Sequence, residues 1–285
     1  MKTVTLNNGV EMPLLGLGVF RITDPVMCEN TVIQAIRDGY RLIDTAEMYG
    51  NEEAVGRGIR RAGVRRQDLF ITSKVWITHT TYEGTKQAFQ DSLKRLGVDY
   101  LDLYVIHQPF NDYYGAWRAL EELYQAGKVR AIGVDNFSQA QVVDLINFNQ
   151  IKPMVDYIEM HPFYQQEAEQ KALKGLGVQP VAWSPFAAGQ FNLFKEPILS
   201  RLAQQHSATA GQVILRWLQQ RQIVTVAKSV KPARLQENFE SLNLKLSNEE
   251  MAQIATLDKG LVASLAGDRS QAKVLQEFLN VAKKG

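Results

Sequence analysis

Eight short runs of β-branched and aromatic residues recur along the 285-residue chain, each separated from the next by a longer amphipathic stretch, and this alternation limits the possible folds more than any other feature. The runs lie near Leu14–Val19, Arg41–Thr45, Leu69–Val75, Leu101–His107, Ala131–Asn136, Asp156–His161, Pro180–Ser184 and Ile223–Ser229. The stretches between them carry helical spacing. In Thr81–Leu96, Tyr82, Ala88, Phe89, Leu93 and Leu96 repeat at that spacing until Gly97 stops it. Another helix is expected over Tyr113–Gln125, and a third after Ser138, whose hydroxyl suits a helix N-cap. Strand–helix units in series predict parallel strands, and eight of them predict closure into an α/β fold, a single (β/α)8 (TIM) barrel, which needs about 250 residues. An open doubly wound sheet is the competing arrangement. Two segments fall outside the repeat. Thr3–Met12 reads as an N-terminal β-hairpin turning at Asn7-Asn8-Gly9, and Gln271–Ala282 as an extra C-terminal helix. No low-complexity linker interrupts residues 1–285, so one domain is expected.

With 45% apolar and 22% charged residues, the chain has the composition of an ordinary globular protein able to bury a large core. A net charge of +2, from 32 basic and 30 acidic residues, gives no reason to expect nucleic acid or an anionic membrane as partner. No apolar run approaches the roughly 20 residues of a membrane span, and the first residues lack a secretory hydrophobic core. One cysteine, Cys28, allows neither an internal disulfide nor a thiolate zinc site. A cytoplasmic location is expected.

A packed barrel carries its chemistry at the C-terminal ends of its strands. Those ends are polar here: Asp44, Lys74, His107, Asp135-Asn136, Glu159 with His161, Ser184 and Lys228-Ser229. Reduction of a carbonyl needs a hydride donor for carbon and a proton donor for oxygen. A tyrosine, with an ordinary pKa of about 10, becomes a better acid beside an ammonium, and an aspartate can hold that ammonium. A histidine can orient the carbonyl oxygen. Asp44, Tyr49, Lys74 and His107 contain those groups, with no metal required. Taken one by one, each is also compatible with a structural role: a buried Asp–Lys pair, a packed histidine, a loop tyrosine.

The segments bearing these residues, GYRLIDTAEMYGNE (39–52), TSKVW (72–76) and GVDYLDLYVIHQP (97–109), together with GKVRAIGVDNF (127–137) and AKSVKPARLQEN (227–238), closely resemble the aldo-keto reductase family, in its bacterial-type, NADPH-dependent form. The resemblance covers nearly the whole chain. It implies an oxidoreductase that reduces aldehydes or ketones to alcohols, with Asp44, Tyr49, Lys74 and His107 as catalytic tetrad and Tyr49 as general acid. It implies NADPH/NADP+ laid across the barrel mouth. Gly16-Leu17-Gly18 lacks the third glycine of a dinucleotide-binding loop, in keeping with that. Lys228, Ser229 and Arg234, with Val230, match the positions gripping the adenosine ribose phosphate; Glu237 and Asn238 match those at adenine. Trp183 matches the aromatic under the nicotinamide, and Ser184 and Phe186 are similar to residues along the pyrophosphate path. Gly18, Val19, Asp44, Asp135, Asn136 and Tyr157 complete the cofactor set.

The chain departs from the family pattern where the nicotinamide is seated. Asp135 replaces a serine that holds the carboxamide, Tyr157 a glutamine, Asp156 an asparagine, and Gln108 the tryptophan after the catalytic histidine. Phe20, Met48, Trp76 and Phe110, with His107, match positions of an apolar substrate pocket. The partners implied are a small-molecule carbonyl substrate and no macromolecule, with a monomer as the family-like state. Two other functions fit the same residues: a Schiff-base lyase using Lys74 or Lys228, and a nicotinamide-binding regulatory subunit with the same fold.

Overall fold

The computed structural model describes residues 1–263, Arg269 and 271–282. Two short antiparallel strands, β1 (Thr3–Thr5) and β2 (Glu11–Pro13), form the N-terminal hairpin. Eight parallel strands follow: β3 (Leu15–Gly18), β4 (Leu42–Asp44), β5 (Phe70–Val75), β6 (Leu101–Ile106), β7 (Val129–Asp135), β8 (Val155–Glu159), β9 (Gln179–Trp183) and β10 (Val224–Ala227). They pair in sequence order, and β10 pairs with both β9 and β3, so the sheet closes into a (β/α)8 barrel without a free edge. Every expected strand is present with its ends within two residues of those expected: β7, β8 and β9 begin one or two residues earlier, and all but β5 end one or two residues earlier.

Helices pack around the strands: α1 (Pro25–Asp38), α2 (Glu52–Arg61), α3 (Tyr82–Leu96), α4 (Tyr113–Gln125), α5 (Gln139–Phe148), α6 (Glu167–Gly175), α7 (Pro197–Gln205), α8 (Ala210–Gln220), α9 (Pro232–Glu240) and α10 (Asn248–Ala255). A last helix, α11 (Ala272–Ala282), follows the barrel. Their boundaries follow local chemistry. The Thr81 hydroxyl accepts from the Gly84 amide at 3.1 Å to open α3, and Gly97, at φ 66°, closes it. Ser138 and Gln141 form a reciprocal capping box at the start of α5. None of the described helices is long and apolar enough to cross a membrane.

The hairpin closes the floor of the barrel. The Asn7 side chain donates to the Pro153 and Gly177 carbonyls, 2.9 Å each, and Asn8 to that of Arg130, also 2.9 Å; all three lie at or before the starts of strands. Gly16 serves packing: a Cβ there would stand 2.5 Å from the Leu42 side chain on the adjacent strand. At the opposite end, the loops after the strands form the mouth.

Candidate active site at the barrel mouth

Asp44 ends β4, Lys74 lies one residue before the end of β5, and His107 directly follows β6, so the parallel register brings three distant residues to one rim. Tyr49 comes to them from a 3-10 turn, Glu47–Tyr49, just after β4. The Lys74 ammonium donates to Asp44 Oδ2 at 3.0 Å and to the Tyr49 hydroxyl at 3.4 Å. The His107 ring stands edge-on to Tyr49, centroids 5.7 Å apart, and to Trp76 at 5.2 Å. Asp135, ending β7, brings a second carboxylate to Lys74: its Oδ2 is 3.8 Å from Nζ and 3.9 Å from His107 Nε2. Tyr157 is fully buried, with its ring centroid 4.5 Å from the Lys74 nitrogen.

Burial sets the protonation of this cluster. It opposes the charge on Lys74, but Asp44, Tyr49 and Asp135 outweigh it and hold the ammonium above its ordinary range. Burial pushes Tyr49 up to about 12, with Lys74 pulling the other way, so the phenol stays protonated at neutral pH. The ammonium beside Tyr49 therefore offsets only part of the desolvation, and the net shift runs opposite to the expected lowering. Burial drives His107 well below the usual histidine range, aided by the Lys74 and Arg269 cations, and leaves a neutral imidazole. Asp135 rises to about 7 through burial, opposed by Lys74 and Arg269.

Around this cluster lie the other expected site residues. Gly18 and Val19 are buried, the Val19 amide donating to the Asp44 carbonyl at 3.1 Å. Asn136 and Ser184, next to the ends of β7 and β9, hold left-handed backbone at φ 63° and 52°. Non-glycine residues adopt that conformation at a cost, and such positions concentrate at functional sites. The Asn136 side chain donates to Asp135 and accepts from the Trp183 indole at 3.2 Å. Trp183 and Ser184 are half-buried, as is Phe186, whose ring lies 5.4 Å from that of Phe194. After β10, Lys228 is exposed, Ser229 buried and Val230 half-buried; the Ser229 hydroxyl accepts from the Lys231 amide at 3.2 Å as the chain enters α9. Along α9 Arg234 is exposed, Glu237 half-buried and Asn238 buried. Of the expected pocket residues, Phe20 is exposed with its ring 5.0 Å from Tyr49, Met48 is half-buried in the 3-10 turn, and Trp76 is buried. Phe110 is half-buried at the mouth.

Residues 15–259 match the model of the aldo/keto reductase family. The chain belongs to that family. It is 48% identical over 258 residues to the glyoxal reductase of Bacillus subtilis, covering 90% of this chain and 93% of that one. It is 44% identical to the 9,11-endoperoxide prostaglandin H2 reductase of Trypanosoma cruzi, over 90% of this chain and 91% of the relative. Among solved structures, the Bombyx mori aldo-keto reductase in complex with NADP superposes with a TM-score of 0.89 at 33% identity, covering 95% of this chain and 96% of that one.

Sequence reasoning missed the residues that hold this family member's Tyr49 turn in place. Glu47 accepts from the Trp76 amide at 2.8 Å and pairs with His79 at 2.6 Å. Asn51 accepts from the Thr45 hydroxyl and donates to the Val19 and Ile22 carbonyls, joining β3 to β4 across the turn. Glu52, 1% exposed, accepts from Ser73 at 2.5 Å and Arg95 at 2.7 Å. A signal for Glu52 was present: it shares a helical face with Val55, Gly56 and Ile59. The tail contacts had none. Phe278 of α11 packs on Trp76 at 5.5 Å and on Phe110 at 5.9 Å, while Arg269 donates to Gln108 at 3.4 Å and lies over Trp183 at 5.7 Å.

Proposed function

We propose that the chain is an NADP(H)-dependent reductase of small aldehydes and ketones, with Tyr49 as general acid. The observation carrying this reading is the Lys74 ammonium, shared between Asp44 and the Tyr49 hydroxyl at the mouth of an aldo/keto reductase barrel. The residues present fit the nucleotide. Trp183 offers a half-exposed indole face, and the Asn136 carboxamide beside it suits an amide ligand. Lys228 and Arg234, both exposed, flank the start of α9 with the Ser229 hydroxyl, a donor set suited to a phosphate dianion.

When bound, NADPH supplies the hydride. His107, as neutral imidazole, orients the carbonyl oxygen toward the Tyr49 hydroxyl. As the carbonyl carbon gains its new C–H bond, the C–O π pair becomes a lone pair on oxygen and takes the Tyr49 proton. The phenolate left behind faces Lys74, the cation able to stabilise it, and Asp44 holds Lys74 in position. Tyr157 buttresses the same ammonium with its ring. A Schiff-base role for Lys74 requires a neutral amine, and the carboxylates around it favour the charged one. The glyoxal reductase among the relatives supports small dicarbonyls as first candidates.

Replacing Tyr49 by Phe removes the proton donor while keeping the ring. We expect kcat to fall by at least about a hundredfold, with NADPH binding nearly unchanged. Turnover close to that of the unaltered protein would overturn the mechanism.

A further inference from the structure

The carboxylate of Asp135 is a feature the reaction as described does not use. It is 3% exposed, yet it faces the catalytic cluster from the end of β7. The groups around it come from every neighbouring strand end: Lys74 at 3.8 Å from β5, Asp44 from β4, His107 at 3.9 Å after β6, and Tyr157 and Asp156 from β8. The tail adds the Arg269 guanidinium. Asp135 is also wired to the indole of Trp183, since Asn136 donates to Asp135 and accepts from the indole nitrogen. Over that indole the protein lays a planar cation of its own, the guanidinium of Arg269, at 5.7 Å from the ring centroid and within the field of Asp135. Aromatic face and carboxylate together thus form an environment complementary to a flat, positively charged group.

A nicotinamide ring is flat in both redox states but carries its positive charge only when oxidised. We propose that Asp135 is a specificity residue for the redox state of the cofactor: its carboxylate, set between Lys74, His107 and Asn136, holds NADP+ in preference to NADPH and loses that preference when protonated. The inference rests on the reading of Trp183 as the nicotinamide platform. The direction with pH follows from chemistry. A protonated Asp135 is a neutral donor, equivalent to a hydroxyl toward a carboxamide; an ionised one accepts only and adds a negative charge. Burial brings its titration to about pH 7, so both forms occur near neutrality. The other groups facing it do not share that change. Lys74 is held charged, His107 is held neutral, and burial, with Asp135 and Glu169 nearby, pushes Asp156 well above the usual carboxylate range. Asp44 stays in place in any variant at position 135 and serves as the internal control.

The test is the ratio of dissociation constants, Kd(NADPH)/Kd(NADP+), measured by quenching of tryptophan fluorescence at about pH 6 and about pH 8.5, either side of the Asp135 titration. The ribose phosphate is common to both nucleotides, so its own ionisation cancels in the ratio. In the unaltered protein the ratio should rise about three- to fourfold between the two pH values, most of the roughly fivefold effect of one charge pair at a partly solvated distance, since a small part of Asp135 is already ionised at the lower pH. In Asp135→Ser and in the isosteric Asp135→Asn it should stay constant within about twofold, below roughly 0.4 kcal/mol. A ratio independent of pH in the unaltered protein, which needs no variant to fold, would overturn the role of Asp135 while leaving the nucleotide site intact. The same rise persisting in both variants would overturn it equally. Failure of the unaltered protein to bind either nucleotide would instead overturn the proposed function, and this inference with it.

Discussion

Lys74 is charged in a place where burial alone would neutralise it, and the whole site depends on the carboxylates that prevent this. Asp44 is the near partner at 3.0 Å; its own pKa is raised by burial and pulled back by Lys74. Tyr49 and His107 are both kept uncharged by the same lack of water, which suits a proton donor and a hydrogen-bonding guide. Burial holds the Tyr49 pKa at about 12, so its phenol stays protonated throughout the neutral range. Arg234, in the first turn of α9, differs from these groups in being exposed to water. Arg234→Met should weaken NADPH binding by about 1.5–3 kcal/mol, as for a hydrogen bond to a charged group, and leave NADH nearly unaffected. Titration of both nucleotides against the variant checks it; equal losses would show a role in the fold.

At the scale of elements, each end of the barrel holds a buried carboxylate with two distinct duties. Glu52, in the first turn of α2, ties that helix to Ser73 of β5 and to Ser92 and Arg95 of α3, beside Lys74. Asp102, near the start of β6, pairs with Arg66 at 2.7 Å and accepts from Arg130 at 2.7 Å and from the Ile71 amide at 2.9 Å. Both carboxylates are buried while their arginine partners are partly exposed, so removing either one strands mainly its buried neutral donor, the Ser73 hydroxyl or the Ile71 amide, and costs about 1–3 kcal/mol. Glu52→Ala and Asp102→Ala should therefore lower stability to urea by similar amounts. Only Glu52→Ala should also lower kcat, because Glu52 borders the mouth whereas Asp102 lies at the opposite end, where residues serve stability. Equal kcat values in the two variants would contradict this division.

Considered as a whole, the molecule is a closed barrel with a stopper at each end. The hairpin caps the floor through Asn7 and Asn8, and α11 reaches the mouth, where Val274 is buried and Phe278, one helical turn later, packs on Trp76 and Phe110. Phe278→Ala should expose Trp76. Trp117 and Trp217 are fully buried and Trp183 is already half-exposed, so the added accessibility would come from Trp76. Quenching of tryptophan fluorescence by acrylamide should increase measurably in that variant. No change would mean that other residues cover Trp76.

Local pattern was enough to determine the barrel, because each strand and helix states its period within its own residues: β-branched runs of a few residues, amphipathic stretches, and caps such as Thr81, Gly97 and Ser138. The polar strand ends were equally legible, since parallel strands in register necessarily bring Asp44, Lys74, His107 and Asp135 to one rim. What they do to one another was not. Whether Lys74 or burial governs Tyr49, whether Asp135 faces inward, and where Tyr157 rests depend on distances of a few ångströms and on how much water reaches each group. Those are properties of packing, and no spacing in the sequence encodes them. The tail is the clearest case: Arg269 meets Gln108 across 161 positions and Phe278 meets Trp76 from the far end of the chain, contacts made by closure of the whole molecule and by no periodicity along it.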